Sequence, residues 1–116
     1  MTEHINRDAV IIFPKQPLID WVNKIFPDDK ISCPKTMAHD EANVYLIPET
    51  DSPEDALKEI KANFELFFYE ELNNWCVDDS FWPKNLTWKM FNEWFNYSVQ
   101  SIVIDVLDKP ILKDIN

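Results

Sequence analysis

The sequence predicts an α/β or α+β fold: one domain over residues 1–116, with a small three- to four-stranded sheet packed with two or three helices in the order β-α-β-α-α-β. Three stretches carry that prediction. Ala9 to Phe13 is an unbroken apolar run without the alternation of a half-exposed strand, so it reads as an interior strand. Ser52 to Trp75 repeats Leu57, Ile60, Phe64, Phe67, Phe68, Leu72 and Trp75 at three- and four-residue intervals, with Lys58, Glu59, Lys61, Glu65 and Glu70 on the other side. This is the pattern of one long amphipathic helix laid over a core. Tyr97 to Val106 reads as a final strand whose far half is apolar on both faces and whose near half is exposed.

Taken in order, the strand Ala9 to Phe13 runs into Pro14-Lys15-Gln16-Pro17, a turn in which Pro17 suits the start of a helix and Gln16 serves as its cap. Leu18, Trp21, Val22 and Ile25 continue at helical spacing, and Pro27 stops the helix after Phe26. Residues 28–42 form a polar loop longer than an ordinary connection, which marks it as mobile or as a site. Asn43 to Ile47 gives the second strand, closed by Pro48, and its pairing with the first is open between a right-handed βαβ unit and an antiparallel pair. Ser52 caps the central helix, Pro53 sits where a missing N–H costs nothing, and Asp55 completes a shortened capping box. Thr87 caps a short helix carrying Trp88, Phe91, Trp94 and Phe95, and the tail Leu107 to Asn116 is an edge strand or irregular.

Composition narrows the function. The net charge is -10, spread over both halves, with no basic tail or patch, which disfavours phosphate backbones and anionic lipid. Glycine is absent, so phosphate loops, dinucleotide fingerprints and nucleophile elbows are excluded in their usual form. The opening MTEHINRDAV has no basic start leading to an apolar stretch, and no run is long enough to span a bilayer, so a cytoplasmic protein is expected. Cys33 and Cys76 form no CxxC pair, and a metal site would require His4, Cys33, His39 and Cys76 all to converge, so no metal and no cofactor are expected. A dyad of Cys33 or Cys76 with His39 is open geometrically, but Cys76, next to a long apolar face, reads as a small core residue.

The strings VIIFPKQPLIDWVN, NVYLIPE and FNEWFNYSVQSIVIDV resemble those of a family of small bacterial cytosolic proteins with no established activity. The resemblance covers most of the chain and implies an intact bacterial domain. It brings no catalytic residues.

Three candidate sites remain. Lys15 and Gln16, beside Asp20, lie where a strand meets a helix and can hold an anion or a carbonyl, or else simply form a rigid turn. Glu70, Glu71, Asp78 and Asp79, with Glu93, can do acid/base work only where burial separates their pKa values; otherwise they are a solvated charge run without EF-hand spacing. Among the aromatic residues Trp75, Phe81, Trp82, Trp88, Trp94 and Phe95, Trp82 before Pro83 fits no helical face and is the candidate contact residue. Together these favour a non-enzymatic acidic binding or regulatory module acting on a protein partner. The alternatives are a small enzyme or ligand-binding protein using the Lys15/Gln16 turn with Asp20 or the Asp78-Asp79 loop, and a structural homodimer.

Overall fold

The computed structural model describes residues 3–32 and 42–114. The elements are β1 (Glu3–His4), β2 (Arg7–Pro14), α1 (Gln16–Ile25), β3 (Asn43–Pro48), α2 (Pro53–Ala62), α3 (Phe64–Trp75), a 3-10 turn (Asp79–Phe81), α4 (Trp88–Trp94), β4 (Phe95–Gln100) and β5 (Ile104–Asp105). The class is α+β. Strand β2 lies at the centre of a three-stranded antiparallel sheet of order β3-β2-β4, and β1 and β5 pair separately. The pairing left open in the sequence is therefore antiparallel, with Val10 opposite both Tyr45 and Val99.

The interior reading of Ala9 to Phe13 holds because β2 has a neighbour on each edge and Val10 and Ile12 are fully buried. Those two residues meet Leu18, Ile19, Val22, Ile60, Phe68 and Phe91 in one hydrophobic cluster that draws on all four helices. Around Phe68 the rings of Phe91, Trp94 and Phe95 stand 5.9, 5.6 and 5.2 Å away, in the tilted and edge-on arrangements that aromatic quadrupoles favour. Phe95 is buried, while Trp75, Trp88 and Trp94 pack half-buried against the same cluster.

Four α-helices replace the expected two or three because the long central helix is two. It breaks at Asn63 (φ -117°, ψ 14°), whose side-chain amide donates back to the Glu59 carbonyl at 2.9 Å. An Asn that bonds its own preceding turn competes with the helical ladder. The expected caps are present: Ser52 accepts from the Asp55 N–H at 3.1 Å and Thr87 from the Met90 N–H at 3.1 Å. In α1, Lys15 is the cap residue and offers no side-chain cap bond, so the helix begins at Gln16 with Pro17 in its first turn. Along α2 the buried face is Ala56 and Ile60, and Leu57, expected on it, is 46% exposed.

The final strand departs most from expectation. It stops at Gln100, resumes for two residues as β5 and pairs there only with β1. Its near half faces the core, with Phe95 buried and Tyr97 opposite Ile12, whereas Ile102 and Val106 in its far half are exposed. The far half is apolar on both faces, but β5 pairs only with β1, outside the three-stranded sheet, and Ile102, Ile104 and Val106 stay open to solvent because no layer of the described residues packs over them. The tail over 106–114 is irregular.

A candidate acidic aromatic cleft

Helix α3 supplies one wall of an open cleft of about 740 Å³, lined by Glu65, Tyr69, Asp79, Trp82, Pro83, Lys84, Asn85 and Leu86. Glu65 and Tyr69 are four residues apart and so share one helical face, and both are exposed whereas Phe67 and Phe68 are turned into the core. The other wall is the segment that follows the 3-10 turn. Pro83 stiffens it, and Asn85 adopts a left-handed conformation (φ 57°), a region that Asn tolerates better than other non-glycine residues.

Trp82 joins the walls. Its ring stacks on Tyr69 at 6.0 Å and 25°, and its indole N–H donates to the Cys76 carbonyl at 2.7 Å. The adjoining turn is fixed twice more. Asp78 accepts from the Ser80 N–H (3.0 Å) and hydroxyl (2.7 Å), and the Trp21 indole N–H donates to the Phe81 carbonyl at 2.9 Å. Among the described residues, no hydrogen bond or ion pair engages the side chains of Glu65, Asp79 or Lys84. Two free carboxylates and one ammonium thus flank an aromatic stack held in place from behind.

The sequence candidates separate on this structure. Asp79 and Trp82 come together in the cleft, with Asp78 next to them at the start of the turn. Hydrogen bonds from Ser80 hold the Asp78 carboxyl below its ordinary range, so it stays anionic. Glu93 is exposed on α4 and does not line the cleft. Lys15 donates from Nζ to the Asn92 carbonyl at 2.8 Å, while its backbone N–H donates to the Trp94 carbonyl at 2.8 Å. Gln16 Nε2 donates to Asp20 Oδ1 at 2.8 Å. The strand-to-helix turn therefore spends its polar groups on docking α1 to α4 and on its own first turn. Cys33, His39, Asp40 and Glu41, with most of the 28–42 loop, lie outside the described residues. Among the described residues no cluster of three His, Cys, Asp or Glu side chains could hold a metal, and Cys76 is a buried free thiol.

Two carboxylates read as surface charge, or not singled out at all, are buried. Glu71, 1% exposed, accepts at Oε2 from the Tyr45 hydroxyl (2.6 Å) and Asn43 Nδ2 (2.7 Å). Burial pushes its pKa up, the hydrogen bonds from Tyr45 and Asn43 oppose that shift, and Glu70 adds to it. Burial likewise raises the Tyr45 phenol, reinforced by Glu71. This knot ties β3 to α3. Asp8, also buried, accepts at Oδ2 from the Thr50 hydroxyl at 2.6 Å and its N–H at 3.2 Å, tying β2 to the approach of α2.

Compared with protein-family models, with curated proteins and with solved structures, the chain matches none. No helix among the described residues is long and apolar enough to cross a membrane.

Proposed function

We propose that the protein is a non-enzymatic acidic binding module that contacts a protein partner through the Trp82 cleft. The observation that carries this reading is the Tyr69–Trp82 stack flanked by the unengaged carboxylates of Glu65 and Asp79. Aromatic anchors with a charged rim are what interfaces concentrate, and the -10 net charge steers basic partners toward such a surface. Glu71 is the natural acid/base candidate, but it is held by Tyr45 and Asn43 and does not line the cleft.

The test is capture from whole-cell lysate by the wild type and by the double charge reversal Glu65→Lys, Asp79→Lys, with elution at rising salt. Both positions are exposed, so the reversal spares the fold. Proteins retained by the wild type, released by salt and lost by the variant support the reading. Equal retention by both, together with one strong small-molecule hit in a thermal-shift screen, contradicts it.

A second reading, a homodimer through the final strand and tail, is favoured by the exposed Ile102, Val106, Leu107 and Leu112. Light scattering across a dilution series tests it: a mass that stays at 13.8 kDa rejects the dimer.

A further inference from the structure

Resting on the acidic-module reading, we propose that the partner segment is amphipathic and basic: it places an apolar side chain in a depression between the ends of α1 and α3 and, a few residues away, an arginine or lysine in the Trp82 cleft.

The depression holds about 360 Å³ and is walled chiefly by Ile25, Phe26, Trp75, Val77 and Phe81. Phe26, Val77 and Phe81 are 41, 81 and 56% exposed there, so three large apolar side chains stand open to water around one concavity. The 3-10 turn is the wall between this depression and the cleft. Asp78 and Phe81 line the depression, whereas their chain neighbours Asp79 and Trp82 line the cleft.

Charge complementarity selects the occupant. Asp78, Glu65 and Asp79 border the pair of concavities against the single ammonium of Lys84. An arginine guanidinium suits the cleft best, because it stacks on aromatic rings and pairs with carboxylates in one plane. A neutral apolar ligand would leave the carboxylates unused, and a nucleic acid would be repelled by them. The three-residue turn rises about 6 Å at about 2.0 Å per residue, and an extended segment advances about 3.3 Å per residue, so the apolar and basic residues sit at least about two positions apart. The turn is already fixed by Trp21, Ser80 and the Trp82 indole, which reduces the ordering cost of binding.

Selection from a random phage-displayed peptide library on the wild-type protein tests this. The expected winners carry a large apolar residue at fixed spacing from Arg or Lys. The pair Val77→Ser, Phe81→Ser should lose the apolar preference and keep the basic one, and Glu65→Gln, Asp79→Asn should do the reverse. All four sites are exposed, and the Phe81 carbonyl that Trp21 bonds is retained, so circular dichroism should find the variants folded. Synthetic consensus peptide should bind the wild type at least about 10-fold more tightly than versions lacking either residue. Winners that are basic without a spaced apolar residue overturn this inference while leaving the acidic module standing. Winners without basic residues overturn both. No enrichment, or a consensus unchanged in the variants, overturns the two-pocket geometry.

Discussion

Replacing Glu71 separates what its hydrogen bonds contribute from what its charge costs. Glu71→Gln keeps a carbonyl oxygen to accept from Tyr45 and Asn43 and removes the titration. Glu71→Ala removes both. Relative to the Gln variant, the Ala variant strands two half-buried donors at about 1 kcal/mol each, the low end of the range for unsatisfied groups. It also loses a buried methylene worth about 0.8 kcal/mol. The gap is about 3 kcal/mol, or a drop in Tm on the order of 10 °C for a chain of this size.

The charge shows in the pH dependence. Burial raises the native carboxyl pKa above its unfolded value of about 4.3, so the native state takes up the proton first as pH falls. The stability this contributes is fully present below the unfolded pKa and is lost as pH rises through the native one. The amide has no such loss. Urea unfolding of wild type and Glu71→Gln from pH 4 to pH 8 should therefore show the variant gaining on the wild type with rising pH and then levelling off. A flat or falling difference, or an Ala variant as stable as the Gln variant, would refute the buried-knot account.

Other substitutions give sharper local readings. Asn85→Ala removes the short polar side chain that eases the left-handed region and should cost up to about 1 kcal/mol, while Asn85→Gly, which has no Cβ to strain, should be neutral or slightly stabilising, both read by thermal melting. Lys15→Met removes the bond to the Asn92 carbonyl and should lower stability by about 1 kcal/mol with partner binding unchanged; loss of binding at unchanged Tm would restore the strand-to-helix turn as a site. Trp82→Phe deletes the indole bond to the Cys76 carbonyl but keeps an aromatic ring over Tyr69, so it should cost about 1 kcal/mol in stability and retain most of the affinity, measured by calorimetry with the consensus peptide.

What the sequence reveals and what it hides follow from the range of the interactions. The caps at Ser52 and Thr87 are local hydrogen bonds, and the residue types name them directly. The break at Asn63 is hidden because Ile60, Phe64, Phe67 and Phe68 keep their spacing across it, so apolar periodicity does not register one non-helical residue. Glu71 was legible in principle: it lies three and four residues after Phe68 and Phe67, a core position carrying a charge, and such a residue needs buried donors. Trp82 could be singled out because it fits no helical face, and Asp79 because it belongs to a run of carboxylates. Glu65, Tyr69, Lys84 and Asn85 could not, because the cleft exists only where the chain after the 3-10 turn folds back along α3. The exposure of Ile102 and Val106 is hidden for the same reason, since local apolarity does not say whether a layer covers it.

The central claim is that the Trp82 cleft is the surface that meets a partner. An amide and indole NMR titration of the labelled protein with an arginine-containing amphipathic peptide tests it directly, since each of the five Trp residues reports separately. The account predicts shifts of the Trp82 indole and of Glu65, Tyr69 and Asp79, with Trp88 and residues 15–20 unmoved. Shifts confined to residues 15–20 or to 102–112, with Trp82 unchanged at saturation, would contradict it.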